Sequence, residues 1–462
     1  MRVSKGRIKT NSELSIGERW NNRALLSLLW PLILEQLLNL GIGAADMIMV
    51  SSLGEYAVSA VNIIDNINNL LIIAFTALCT GGAVVVSQYI GRRDHNNSSL
   101  AAKQLVYSVM LIAFLVMGFT ILFRRPLIRV IYGNIEADVM SASAVYLLFI
   151  GMSYPFLALN SANSALFRAM GNSRIPMLIG ILANVVNITG NFVFIFSLNM
   201  GVMGAALATF LCRVAAAAIS TTLLYRNKSS PISLSGLFNI HINPSMIKNI
   251  LNVGVPSGVE SSMFMVGRLM TQRIFTVFGT AAMAANAVAS LINSLSFMPG
   301  MAFGMAMLTI TGQCIGAGDY TEAKKQVFKI MKLAYITLII LSAFILIFIK
   351  PLVSLFNLGP EAGQMAILYL RVHCVTMALG WALSFCLPNA LRAAGDARYV
   401  MISAVISVWT VRVILAYLLT FTFGIGPLAV WLAMGADFFV RGGLFYRRWR
   451  SGKWQNKRVI DD

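Results

Sequence analysis

Long apolar segments recur from one end of the chain to the other, and they constrain the fold more than any other feature. Of the 462 residues, 58% are hydrophobic and 11% are charged, whereas soluble domains carry about 25% charged residues. Runs of ~20 apolar residues cross a bilayer as α-helices, in which the backbone satisfies its own hydrogen bonds. The sequence therefore predicts an all-α polytopic membrane protein.

Hydropathy windows predict twelve transmembrane helices. Their predicted ranges are 24–50, 57–87, 100–123, 139–169, 175–197, 203–225, 246–278, 281–311, 322–348, 361–391, 398–422 and 427–446. Basic residues concentrate in both tails and in alternate loops, so the positive-inside rule places both termini in the cytoplasm. The net charge of +19 then reflects membrane topology, and we expect a lipid bilayer and no nucleic acid as partner. The expected location is the cytoplasmic (inner) membrane of a prokaryote.

The two halves of the chain repeat each other. Pro31 and Glu35 recur 225 residues later as Pro256 and Glu260, and the motif FRAMGNSR recurs as LRAAGDAR. Each repeat holds six helices, an even number, so the repeats are parallel and related by a pseudo-two-fold axis along the membrane normal. The predicted divisions are an N-terminal tail (1–23), an N-lobe (24–225), a linker (226–244), a C-lobe (245–446) and a basic C-terminal tail (447–462).

The first predicted helix carries residues that are costly inside a membrane, namely Pro31, Glu35, Asn39 and Asp46. A carboxylate at helix-centre depth costs about 2.5–3.5 kcal/mol, so such a residue marks an ion or substrate pathway by default. A proline removes a backbone hydrogen bond and can act as a hinge. We predict Asp46 as the ion-loading acid, Pro31 as the hinge, and Glu35 and Asn39 as cavity residues. The alternative for both acids is solvation near the membrane ends.

Two other predicted helices carry polar stripes. Asn184, Asn187 and Asn191 recur on one face of the fifth helix, and Asn62 and Asp65 begin a similar stripe on the second. Aligned amides are costly towards lipid, so both stripes are expected to face inward and line a cavity. The alternative is that they form interhelical hydrogen bonds or pack within the bundle.

Several motifs, in order along the chain, resemble those of the multidrug and toxic-compound extrusion (MATE) family. They are WPLILEQ, AADMIMVSSLG, QYIGRRD, FRAMGNSRIP, NVVNITGNFVFIF and GVMGAALAT, followed by the second-half copies GVPSGVE and GQCIGAGDYTEA. The resemblance covers about residues 20–450. It implies a two-lobed, twelve-helix exporter that works by alternating access. Its cargo would be amphipathic, often cationic drugs or metabolites, exchanged for H⁺ or Na⁺.

The resemblance is closer to the DinF-like branch, which has an ion site in its N-lobe. The residues matching that site and its hinge are Asp46, Tyr146, Asn187, Thr209 and Pro31. One departure is Asn191, which stands where the branch has an aspartate and leaves a paired-carboxylate mechanism in doubt. A single titrating acid is sufficient for proton coupling, which we favour. The oxygens of Asp46, Asn187, Asn191 and Thr209 would also suit Na⁺. We expect no resident cofactor or metal.

The second half contributes Glu260, which is expected to bind cationic cargo or a second ion unless it pairs with Arg268 or another buried arginine. Arg213, Arg273 and Arg412 must likewise be paired, snorkel or face water. These arginines keep open the alternative of a lipid-linked oligosaccharide flippase, which would need a cationic cavity for pyrophosphate. Metal triads and nucleophile motifs are absent from the sequence, so we do not expect an enzyme. We expect a monomer.

Overall fold

The fold is built from long helices. The computed structural model describes residues 17, 20–227, 231–237, 239–457 and 459–460, without the side chains of residues 39, 40, 42 and 44, and within that part it contains no strand. The described long helices are α1 (Asn22–Ser51), α2 (Glu55–Gly91), α3 (His95–Leu122), α4 (Ala137–Met152 and Tyr154–Ala169), α5 (Arg174–Ser197), α6 (Gly201–Arg226), α7 (Pro244–Val277), α8 (Gly279–Gly316), α9 (Tyr320–Ile347), α10 (Pro360–Ala393), α11 (Ala397–Thr422) and α12 (Leu428–Arg450). Shorter helices lie between α3 and α4 (Arg124–Tyr132) and between α9 and α10 (Ile349–Ser354).

The helices confirm the predicted all-α membrane fold. In the described part of the chain, nine helices are long and apolar enough to cross a membrane, or ten if the bent α4 counts as one span. Helices α1 and α7 have 30 and 34 residues, which also exceeds the ~20 residues that a span requires. The exact number of twelve spans stays a prediction.

The fourth helix, predicted as one segment over 139–169, is bent. The chain breaks at Ser153 and turns by 45° between the two parts of α4. Pro155 lies in the first turn of the second part, where its missing N–H needs no partner. Proline at this position allows a new helix to start in a new direction.

Buried apolar side chains form two main clusters, one mostly within α2–α6 and the other mostly within α8–α12. The start of the first helix of each half packs into the core of the other half. Leu25 and Leu28, at the start of α1, pack into the second-half cluster, whereas Met246 and Ile250, at the start of α7, pack into the first-half cluster. Each lobe is therefore completed by a segment of the other.

Helices α2 and α8 touch backbone to backbone at the end of the bundle where both finish. A Cβ atom added at Gly91 would lie 2.0 Å from the carbonyl oxygen of Gln313, and one added at Gly316 would lie 1.9 Å from that of Gln88. These four residues form what we call the inter-lobe clasp. Only glycine permits so close an approach at either position.

The glutamine side chains of the clasp also join the two lobes. Gln88 donates to the backbone carbonyl of Ala393 at 2.7 Å, and Gln313 donates to that of Ala169 at 2.7 Å. The two bonds are equivalent under the sequence repeat, because Gln313 follows Gln88 by the same offset as the two glycines. The repeat therefore produces a symmetric lock between the lobes.

Each clasp helix is followed by an aspartate that begins the next helix. Asp94 accepts a hydrogen bond from the backbone N–H of Asn97 at 3.0 Å, and Asp319 accepts one from that of Glu322 at 2.8 Å. The hydrogen bond from Asn97 holds the pKa of Asp94 below its usual value. Capping of this kind satisfies a backbone donor that the helix itself leaves free.

Candidate functional site

The predicted ion-loading acid lies against the fifth helix. The side-chain amide of Asn191 donates to a carboxylate oxygen of half-buried Asp46 at 2.5 Å. Asn191 is itself buried, and α5 widens directly after it into a π-helical turn, Phe192–Ser197. Turns of this type recur at functional sites. The structure thus brings an acid and an amide from two helices into direct contact.

The contact continues as a row of polar side chains. Asn191 donates to the side-chain oxygen of Asn187 at 3.5 Å, and Asn187 donates to the Thr209 hydroxyl at 3.4 Å. Tyr146, which is buried on α4, interacts electrostatically with Asp46. Four of the five residues predicted for ion coupling are therefore linked by hydrogen bonds, and the fifth, Tyr146, lies near them.

A cationic side chain, that of Arg213, also lies beside this row, although the sequence did not predict it there. Arg213 on α6 donates to the Ser153 hydroxyl at 2.7 Å and to the side-chain oxygen of Asn68 at 3.3 Å. It is close enough to interact electrostatically with both Asp46 and Asp65. A signal was present in the sequence, because Arg213 follows Thr209 by four residues and therefore shares its helix face.

The remaining predicted cavity residues fall in different surroundings. On α2, Asn62 is exposed and Asp65 is half-buried. Asn184 on α5 is buried, and its side-chain oxygen lacks a partner among the described residues. The side chain of Asn39 lies outside the part of the chain that the structure describes. Pro31 is buried inside α1, which continues through it as one helix, so its hinge role stays a prediction.

The two repeated glutamates are engaged in ion pairs. Glu35 lies 3.0 Å from Arg168, and Glu260 lies 2.6 Å from Arg392, with all four side chains 12–20% exposed. Both arginines belong to the repeated RAxGxxR motif. Arg268, the partner considered first for Glu260, is exposed instead. These pairs link α1 to α4 and α7 to α10, so neither glutamate offers an unpaired carboxylate to a cationic cargo molecule.

Glu260→Gln is expected to destabilise the protein by about 1.5–3 kcal/mol, because it leaves the largely buried Arg392 without its charged partner. The double variant Glu260→Gln/Arg392→Gln should recover part of that loss. Thermal unfolding of the purified protein measures both. Lys325→Gln, which removes the 74% exposed member of the Lys325–Glu322 pair, should change stability by less than ~1 kcal/mol. Equal melting temperatures for Glu260→Gln and wild type would contradict a stabilising pair.

This architecture, with two helical lobes and a polar row inside one of them, defines a multi-pass membrane transporter. The MatE family profile matches residues 31–193 and 256–418, one copy in each half. The chain therefore belongs to the MatE (MATE) family, whose members are transporters and not enzymes. The wider family resemblance is confirmed, whereas the DinF-like branch stays a prediction.

Known relatives match along most of their length. The "Uncharacterized transporter YisQ" of Bacillus subtilis is 28% identical over 94% of this chain and 95% of its own length. The "Probable multidrug resistance protein NorM" of Thermotoga maritima is 27% identical over 95% and 94%. These relatives support a multidrug efflux transporter and do not favour the flippase alternative.

Solved structures show the same fold. A MATE protein "in the bent conformation" superposes with a TM-score of 0.87 at 20% identity, over 94% of this chain and 96% of the other. An "outward-facing conformation of a multidrug resistance MATE family transporter" superposes with a TM-score of 0.87 at 19% identity, over 96% and 98%. The two-lobed helical fold predicted from the sequence is thereby confirmed.

Proposed function

We propose that the protein exports amphipathic, cationic drugs or metabolites in exchange for H⁺, with Asp46 as the residue that loads the proton. The contact between Asp46 and Asn191 is the observation that supports this proposal most directly. A carboxylate inside a membrane protein is costly unless it has a function. Here the Asp46 carboxylate is half-buried and hydrogen-bonded to α5. This hydrogen bond must break or change when the charge of Asp46 changes.

The charges around the site favour a single monovalent cation. Asp46 and Asp65 contribute two negative charges and Arg213 contributes one positive charge, so one proton or one Na⁺ neutralises the group. Asn191 presents its N–H to Asp46, which suits a carboxylate that accepts a hydrogen bond. A bound Na⁺ would instead be coordinated by carboxylate, amide and hydroxyl oxygens together, whereas proton loading needs only one titrating acid. We therefore favour H⁺, with Na⁺ at Asp46, Asn187, Asn191 and Thr209 as the alternative.

Exchange follows when ion and cargo favour different arrangements of the lobes. Loading Asp46 removes its charge and weakens the hydrogen bond from Asn191, so α1 can repack, with Pro31 as the proposed hinge. The effect of the ion on cargo affinity must then equal the effect of cargo on ion affinity. Cargo binding and ion binding in this scheme exclude each other.

Reconstitution into liposomes tests the coupling ion. Ethidium efflux is followed by fluorescence while a pH gradient or a sodium gradient is imposed separately. We expect the pH gradient to drive efflux and the sodium gradient alone to leave it at the level of protein-free liposomes. Collapsing the pH gradient with a proton ionophore serves as the control. Full efflux under the sodium gradient alone would assign the site to Na⁺.

We also propose that the protein works as a monomer in the cytoplasmic membrane, with both termini in the cytoplasm. The proposed orientation is supported by the excess of basic residues in the tails and in alternate loops, as the positive-inside rule requires. Cysteines introduced at each terminus should react with a membrane-impermeant thiol reagent only after the cells are opened. Labelling in intact cells would reverse the proposed orientation.

A further inference from the structure

The C-lobe contains a second group of charges that the proposed exchange does not use. Asp437 and Arg441 lie on α12, and Arg412 lies on α11. Their exposed fractions are only 0%, 2% and 6%. One carboxylate oxygen of Asp437 lies 3.5 Å from Arg441 and 3.9 Å from Arg412. Two guanidinium groups thus share one carboxylate, which leaves a net charge of +1 buried between helices.

Among the residues that the structure describes, no acid other than Asp437 forms an ion pair with Arg412 or Arg441. The groups that act electrostatically on Arg412 are Asp437, Arg441 and the further cation Arg268. Glu260, an acid on α7, is already paired with Arg392. An uncompensated charge inside a protein is costly, so an additional negative charge would stabilise the group.

The hydrogen bonds of the group are also incomplete. In the described part of the chain, Nε and Nη1 of Arg412 and Nε and Nη2 of Arg441 have no hydrogen-bond partner. One oxygen of Asp437 accepts a hydrogen bond from the Ser407 hydroxyl at 2.6 Å, whereas the oxygen that faces the two arginines has no hydrogen-bond partner among the described residues. Buried donors on a charged group are expensive when unsatisfied. Nη1 of Arg412 and Nη2 of Arg441 face one oxygen of Asp437 at 3.9 and 3.5 Å, so the two Nε groups are the donors that remain for a small anion.

Aromatic rings fix the orientation of both guanidinium groups. The Arg412 guanidinium lies 4.6 Å from the centre of the Phe264 ring, and that of Arg441 lies 4.3 Å from the centre of the Phe385 ring. Stacking occupies the flat faces of the guanidinium groups. The N–H groups point from their edges, so they stay available to a ligand. Both rings are half-buried, so they are less buried than the charged side chains that they contact.

We propose that Arg412 and Arg441 form a buried binding site for one monovalent anion in the C-lobe, in which Asp437 neutralises only one of the two positive charges. The anion would be chloride or the carboxylate of a cargo molecule, since either accepts several hydrogen bonds and neutralises one charge. In the second case the cargo would be zwitterionic, with its cation attracted to the N-lobe acids. The site itself does not depend on proton coupling.

Anion binding by the purified full-length protein in detergent tests this inference. Sodium chloride and sodium benzoate are titrated separately at constant ionic strength, with sodium sulfate as the balancing salt, and heat release is measured. Arg412→Gln and Arg441→Gln should each weaken binding at least about tenfold. Asp437→Asn raises the net charge of the group and should strengthen binding. A purely structural role would not give these opposite shifts.

The outcomes separate the two sources of the anion. Binding of chloride alone supports an inorganic counterion, and binding of benzoate supports recognition of a cargo carboxylate. Lys325→Gln, which changes an exposed side chain, is the control and should bind as wild type does. If the glutamine variants do not fold, Asp437→Asn decides, because unchanged or weaker binding in that variant overturns the proposal. Absence of binding to the wild-type protein overturns it as well. Since the readout is binding, failure here leaves proton-driven export untouched.

Discussion

Asp46→Asn should reduce pH-gradient-driven efflux to the level of protein-free liposomes, because without this acid ion loading and cargo binding are no longer coupled. Asparagine keeps the size of the side chain and still meets Asn191, but it cannot take up or release a proton. The hydrogen-bonded row from Asp46 to Thr209 would then stay in a single charge state. Initial rates of dye efflux from proteoliposomes measure the effect.

Two matched variants make that result specific. Asp138→Asn removes an exposed carboxylate in the first turn of α4 and should transport at the wild-type rate. Direct dye binding to Asp46→Asn should persist, which would show that the variant folds and has lost only its response to the gradient. Near-normal efflux by Asp46→Asn would remove this carboxyl from the coupling step.

Gly316→Leu should be the most damaging single change outside the polar row. The first atom of the new side chain would lie 1.9 Å from the carbonyl oxygen of Gln88, so α2 and α8 must move apart. Overpacking of this kind costs about 1–3 kcal/mol even where side chains can adjust, and backbone atoms adjust less. We expect a lower melting temperature together with loss of transport.

A glycine in open space provides the control for the clasp. Gly118 lies within α3, and a Cβ atom added there meets nothing within 4 Å. Gly118→Ala should raise stability by roughly 0.5–1 kcal/mol, because alanine favours the helix. If Gly316→Leu melted and transported like Gly118→Ala, close contact of the two helices would not be needed by the protein.

Local patterns made the fold predictable, because hydropathy and helical spacing are read from neighbouring residues. The asparagine face of α5 is an example, since Asn184, Asn187 and Asn191 are all buried as their spacing indicated. The bend at Ser153 was missed, although Pro155 marked it. A proline alone does not say whether a long apolar segment bends or ends.

Contacts between distant parts of the chain were not predictable in the same way. The Glu35–Arg168 pair joins residues 133 positions apart, and spacing along one helix gives no information about it. The repeat did contain a clue, because both partners recur in the second half. The pair of Asp437 and Arg441 was visible as an i, i+4 spacing on α12, but its meeting with Arg412 depends on how α11 packs.

The crossed packing of α1 and α7 has a consequence for biosynthesis. The opening turns of α1 pack into a core whose other members are synthesised later. The core of the first lobe is complete only when the start of α7 has also been synthesised. We therefore expect the first six helices to complete their packing only after the start of α7 has been made, so that the two lobes mature together.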